Sequence, residues 1–303
     1  MKIKGIKFKN TRDEYVLDSF VTIILVILGI LTLYPLVYVF SMSISGASAV
    51  ISGQVRLWPI GFSLDSYQKV ISFPSFWKSY GNTFIYAFCG SAISVACTVM
   101  CGYALSRKNF VLKNFTTIVM LITMLFSGGI VPSFITINRL GLYDTRWAIL
   151  LPPAVNAWNI IIARVFFQQN IPVSLEESAK IDGANDMMVL FKIVLPLSST
   201  IVAILALFSA VAHWNSFFPA MLYLSNDNLK PVQIVLRDVL FRNSQNAGVG
   251  ILDQDMTMLA QRMQYMMQIK YVCIILSIIP ILILYPLLQR YFVKGIMIGA
   301  IKE

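Results

Sequence analysis

Residues 171–196 read IPVSLEESAKIDGANDMMVLFKIVLP, a polar stretch set between long apolar blocks. Ser174 and Glu177 have the Ser-x-x-Glu spacing of a capping box, in which the serine oxygen takes an orphan N–H and the glutamate reaches back. This spacing predicts a helix beginning at Ser174. Gly183 ends it, because glycine adopts the left-handed conformation that closes helices. Asn185 or Asp186 can cap a second helix running toward Ile193. Pro196 marks a break before the next apolar block. The expected product is helix, glycine turn, helix, tethered at both ends to apolar segments.

Outward from this stretch the chain is dominated by apolar blocks. Of 303 residues, 57% are hydrophobic and 13% charged, where a soluble domain carries about 25% charged residues. The blocks cover about 20–40, 84–105, 115–137, 147–167, 197–224 and 271–292. Each is near or above the roughly 18 apolar residues that cross a bilayer as a helix. The expected architecture is all-α, a polytopic membrane protein with six transmembrane helices.

Lys2, Lys4, Lys7, Lys9 and Arg12 precede the first block. A signal peptide is one reading, since Ala47-Ser48-Ala49 resembles a cleavage site. The apolar run exceeds the usual signal core of about 7–15 residues, so the expectation is an uncleaved first span. The basic flank puts the N-terminus in the cytoplasm, and an even number of spans brings the C-terminus there too. Arg107, Lys108 and Lys113 after the second block, and Arg290, Lys294 and Lys302 in the tail, then fall inside. The loop between the fourth and fifth blocks holds Glu176, Glu177, Asp182 and Asp186 against Arg164, Lys180 and Lys192. Acids count little in orienting a chain, so the topology stands.

The net charge of +10 follows from this cytoplasmic bias. No basic stripe interleaved with exposed aromatics points to nucleic acid. Cys89, Cys97, Cys101 and Cys273 all lie in apolar blocks and read as packing residues. No histidine or carboxylate lies near Cys97 and Cys101 to complete a metal site. Two outside segments are long, 41–80 with its Trp58-Pro59-Ile60-Gly61 turn and 225–270. The latter carries Met256, Met258, Met263, Met266 and Met267 around Leu259. These suggest an amphipathic helix packed on the protein, with a partner-binding face as the alternative. Pro132, Pro152, Pro153, Pro280 and Pro286 fall in or near the spans, where freed carbonyls need neighbours or a watery path.

No Asp or Glu lies inside any of the six blocks, which argues against ion coupling. No G-x-x-x-x-G-K-S/T phosphate loop is present, so the chain carries no nucleotide-binding motif of that kind. Asn156, Trp158 and Asn159 cluster in the fourth block, and His213, Trp214 and Asn215 in the fifth. Amides and rings suit saccharides, which offer hydroxyls and C–H faces. The same residue types also serve interhelical hydrogen bonds. His213 is the only histidine, so a catalytic or metal role lacks partners. A lipid-modifying membrane enzyme would need clustered acids or histidines near an interface, and a self-contained carrier would work without an ATPase.

Glu177, Ser178, Ala179, Gly183, Ile193, Leu195 and Pro196 resemble the signature E-A-A-x3-G-x9-I-x-L-P of membrane subunits of ATP-binding-cassette (ABC) importers. The one departure is Ser178 for the first alanine. Ile181-Asp182-Gly183-Ala184, Tyr103-Ala104-Leu105-Ser106-Arg107 and His213-Trp214-Asn215 are similar to the carbohydrate-uptake branch. Phe126-Ser127-Gly128-Gly129 with Pro132, and the tail Phe292-Val293-Lys294-Gly295, resemble lipoprotein-associated and alginate-type oligosaccharide permeases. The resemblance covers nearly the whole chain.

It implies a type I ABC importer permease fold. Residues 1–79 would hold the cytoplasmic N-terminus, first span and external loop. Residues 80–292 would form the transmembrane domain with coupling loop 171–196, and 293–303 a cytoplasmic tail. The resemblance assigns ATPase coupling to Glu177, Ser178, Ala179, Asp182, Gly183, Ala184, Ile193, Leu195 and Pro196. It implies, as partners, a second permease in a heterodimer, an ABC ATPase dimer, an extracytoplasmic solute-binding protein and a saccharide, all at the cell membrane. ATP and Mg would be bound by the ATPase, with no cofactor or metal on this chain.

Overall fold

The computed structural model describes residues 12–248 and 267–286. The N-terminal lysines, the methionines from Met256 to Met266 and the tail with Arg290, Lys294, Lys302 and 292–295 lie outside the described residues. The described chain is helical, with no strand among its residues. In order it forms α1 Arg12–Ser43, α2 Ala47–Ile51, α3 Asp65–Ile71, α4 Phe76–Ser106, α5 Lys113–Leu125, α6 Ile130–Arg139, α7 Trp147–Leu150 and α8 Ala157–Asn170. These are followed by α9 Val173–Ile181, α10 Asp186–Val189, α11 Leu195–Leu197, α12 Ser199–Trp214, α13 Phe217–Tyr223 and α14 Val232–Gly248. The last described helix, α15, is Met267–Pro286.

Among the described residues, three helices are long and apolar enough to cross a membrane: Val16–Ser43, Phe76–Ser106 and Met267–Pro286. Three bent pairs meet the same test, which makes six crossings when each pair counts as one. Three of the six blocks are therefore not the continuous helices that their apolar runs suggest. The third breaks at 126–129 with a 119° bend between α5 and α6. Gly129 there has φ +84°, open to glycine at no steric cost. The fourth bends by 45° between Trp147–Ala154 and α8. Pro152 and Pro153, which have no N–H to donate, sit in a 3₁₀ turn at that break. The fifth breaks at Ser198, where Asp186–Leu197 meets α12 at 85°, and turns again at Asn215 and Ser216, so α12 and α13 are separate helices.

The chain divides into two units, Met1–Val70 with Arg242–Leu276 and Ile71–Phe241 with Ser277–Glu303. In the first, α1 is apolar and exposed along its span, which calls for a lipid or protein surround. Met42 in its last turn joins Ala49, Val50 and Val55 in a small core. Ala49 is buried inside α2, so the Ala47-Ser48-Ala49 stretch is part of folded structure. Gly46 lies against the Gly61 carbonyl and donates to the Ile60 oxygen (2.9 Å). This approach closes the turn at Trp58-Pro59-Ile60-Gly61. The fully buried Gln268 accepts from Ser66 Oγ (2.8 Å) and donates to the Ser43 and Ser45 carbonyls. Its amide is thereby satisfied, as burial requires.

In the second unit α4 is the central helix, packed against α12 and α8. Gly102 lets α8 approach closely, since a β-carbon there would stand 2.8 Å from Ala163 Cβ. Small residues at such crossings are how helices associate in lipid. One core gathers Val99 and Tyr103 of α4, Ala163 and Phe167 of α8, and Ile201 and Leu205 of α12. Another gathers Tyr86, Ile137, Ile149, Tyr223 and Ile234.

Candidate functional site: a capped hairpin between two spans

The stretch 171–196 folds as the expected hairpin, with two corrections. α9 starts at Val173, with Pro172 as its N-cap at φ −62° and ψ 133°. Ser174 is therefore inside the first turn, and no capping box with Glu177 forms. Proline's fixed φ suits a helix entrance and carries no N–H to be satisfied, so it takes the boundary from the serine. The Pro172 carbonyl accepts from Leu175 N (3.2 Å).

The C-terminus closes as expected. Gly183 has φ +84°. Its N–H reaches the Lys180 carbonyl (3.0 Å), and the Ala184 N–H reaches the Ala179 carbonyl (2.9 Å). This pair of bonds is the Schellman arrangement. Of the two capping candidates, Asn185 is the one used: its Oδ1 accepts from Met188 N (2.8 Å).

The second correction concerns the break assigned to Pro196. α10 runs into a π-helical turn, Leu190–Val194, and then α11. Leu195 N–H bonds back to the Leu190 oxygen, and Pro196 continues the helix just beyond. The break falls at Ser198, and Asp186–Leu197 meets α12 at 85°. Turns of π type occur as single insertions of this kind.

The hairpin has two faces. Glu176, Ala179, Val189, Leu190 and Val194 are buried, and the apolar four join the core of α4, α8 and α12. Ala184, Ile193 and Leu195 are partly buried on the same core. Glu177, Ser178, Asp182, Gly183 and Pro196 are exposed. Beside them stand Leu175, Ile181, Met187 and Met188, with Ile181 87% exposed. The coupling set thus separates into residues that build the hairpin and residues that face outward.

Adjacent glutamates take opposite roles. Glu177 is exposed, whereas the buried Glu176 forms an ion pair with Arg107, the residue that ends α4. The Arg107 guanidinium also lies over the Tyr103 ring at 4.7 Å, and its Nε donates to Ser106 Oγ (2.9 Å). Burial pulls the Arg107 pKa below the ordinary arginine value, with Tyr103 and the Asp186 carboxylate acting against that pull. Lys180 and Asp186 pair across the glycine turn at 2.9 Å, an exposed bridge of small energetic weight. These groups border a cavity of about 820 Å³ between the end of α4 and the hairpin. The Arg107–Glu176 pair joins residues far apart in sequence, and no local pattern announces it.

The saccharide candidates are dispersed. Asn156 is exposed and caps α8, its Oδ1 accepting from Asn159 N (3.1 Å). Trp158 is 57% exposed, Asn159 half-buried and Asn215 exposed. His213 and Trp214 are buried. The Trp214 ring packs on Tyr80 and Phe84, and its Nε1 donates to the Ser277 carbonyl (3.0 Å). Among the described residues, no hydrogen bond or ring contact links the 156–159 and 213–215 clusters, and no group of three His, Cys, Asp or Glu is arranged to hold a metal.

Among the described residues, an all-helical fold with apolar crossings and a polar hairpin between two of them defines the class: a multi-pass membrane protein. No family model matches the chain. It is 38% identical over 279 residues to the polygalacturonan/rhamnogalacturonan transport system permease protein YtcP of Bacillus subtilis, covering 92% of this chain and 95% of that one. It is 36% identical to protein LplC of the same organism, over 97% of each chain. A solved chain of a bacterial ABC transporter involved in importing the acidic polysaccharide alginate superposes with TM-score 0.80 and 32% identity. That match covers 94% of this chain and all of the other. The chain belongs to the family of carbohydrate ABC transporter permeases, transporter subunits and not enzymes.

Proposed function

We propose that this permease moves an oligosaccharide across the cell membrane as one of two different permease subunits, and that the outer face of its hairpin is where an ABC ATPase docks. The observation that carries the docking is the set of apolar side chains, Leu175, Ile181, Met187 and Met188, left exposed beside Glu177, Ser178, Asp182 and Gly183. Apolar groups clustered on a polar loop are the mark of a surface that a partner covers. Ala179, Ala184, Ile193 and Leu195, packed on the core, hold that surface in shape.

The hairpin joins the fourth and fifth crossings, so a push on it is delivered into both. The N- and C-termini lie on the cytoplasmic side in this reading. What supports it is the basic loop after α4, since positive loops favour the cytoplasm, together with the ion pair of Arg107 with Glu176, which joins the end of α4 to the hairpin. ATP and Mg belong to the ATPase dimer, which supplies the energy. An extracytoplasmic solute-binding protein delivers the saccharide to the opposite face.

An oligosaccharide is favoured because two of the similar proteins are described as transporting polygalacturonan/rhamnogalacturonan and alginate. Asn156, Trp158, Asn159 and Asn215 carry the proposed saccharide contacts, being exposed or half-buried. His213 and Trp214 are buried and pack α12 against α4. The test is growth of a strain lacking this chain on a panel of polysaccharide-derived oligosaccharides. Loss of growth on one or more of them, with growth on their monosaccharides kept, is expected. Undiminished growth on the whole panel would overturn the reading.

A further inference from the structure

We propose that Arg107 and Glu176 are a positioning pair that sets the roll of α9 against the end of α4, and so aims the docking face of the hairpin. The inference rests on the coupling role given to the hairpin above.

A buried carboxylate is costly unless a charge and hydrogen bonds answer it. Glu176 is 7% exposed, and Arg107 is the cation that pairs with it. Arg107 is itself held on further sides, by the Tyr103 ring and by Ser106 Oγ. A planar guanidinium fixed in this way offers one direction to a carboxylate. Ala179, buried three residues after Glu176, continues the same helix face. Successive helical residues are about 100° apart. Fixing Glu176 inward therefore turns Glu177 outward, together with Ile181 one helical turn beyond Glu177.

The partner's position gives the pair its consequence. The hairpin is covalently tied to α8 and α12. Its charged anchor is on α4, the helix that packs against both of them. A displacement of α9 would then reach a third crossing directly. Gln168 of α8 also donates to the Ser106 carbonyl (3.5 Å), so the end of α4 is gripped from two elements.

The test uses the complete transporter in proteoliposomes, with both permeases, the ATPase and the binding protein. R107Q, E176Q and the exchange R107E/E176R are compared with the unaltered protein. Three quantities are read: ATPase recovered with the permease, the ratio of ATP hydrolysis with and without loaded binding protein, and uptake. The single variants are expected to assemble and to lose about tenfold in that ratio, while the exchange recovers to within about threefold, as coupled residues do. A merely structural pair would not move the ratio per assembled complex. Singles that stay within about twofold of the unaltered ratio, that fail to assemble, or that are not improved by the exchange would overturn the pair. E177R is run beside them. If it still binds the ATPase, the hairpin reading fails; if it loses the ATPase while the pair variants are silent, the pair alone fails.

Discussion

The imidazole of His213 lies directly against Gly90, where an added β-carbon would come within 2.2 Å of the ring. His213 Nδ1 is 2.8 Å from the Ser209 carbonyl. A carbonyl only accepts, so Nδ1 carries the proton. Helix α12 is keyed into α4 through this ring, and Gly90 is small because His213 occupies the space. G90A is expected to destabilise the permease by about 1–3 kcal/mol, the range for overpacking a filled core. H213A should offset part of that loss when combined with it, because the two residues are in contact. Thermal unfolding of the detergent-solubilised protein checks both. Additive losses would contradict the contact.

At Gly183 the constraint is on the backbone, because a β-carbon added there would meet nothing within 4 Å while φ is +84°. G183A is expected to cost the hairpin about 1–2 kcal/mol, the left-handed penalty for an L side chain. G183N should be milder than G183V, since asparagine tolerates that conformation. Recovery of the ATPase with the permease orders the three.

The cap bonds separate two residues that look alike in sequence. N185A removes the acceptor of Met188 N–H and should cost about 1 kcal/mol, with N185D close to neutral. S174A should stay within about 0.5 kcal/mol, as a surface change with no cap to lose. Limited proteolysis of the 171–196 stretch reads the difference, and equal losses would restore the capping box.

Ile181 is 87% exposed on the outer face. If the ATPase covers it, I181D should weaken association by about tenfold or more, as at a buried apolar anchor. Folding of the permease should be unchanged. Native gels of solubilised complexes distinguish the two. Association at full strength would remove Ile181 from the interface.

Much of this hairpin was legible because its controls are local. Gly183 and Asn185 act through bonds to residues within four positions, and these can be read from spacing. Ser174 misled because Pro172, two residues earlier, competes for the helix boundary. The break at 126–129 falls on Phe126-Ser127-Gly128-Gly129 inside a block that hydropathy reads as one span, since hydropathy reports only insertion in lipid; its cause is the backbone freedom of Gly129. Arg107 with Glu176, and Gly90 with His213, are long-range relations between helices. No window of sequence contains both members of either pair.

In the proposed coupling, energy enters this chain through the hairpin, and E177R in the reconstituted transporter is the sharpest probe of that route. Glu177 is exposed on the outer face, so its reversal should leave the permease folded. The expected result is loss of ATP-dependent saccharide uptake together with loss of the ATPase from the purified complex. Uptake and ATPase recovery equal to those of the unaltered protein would contradict the account.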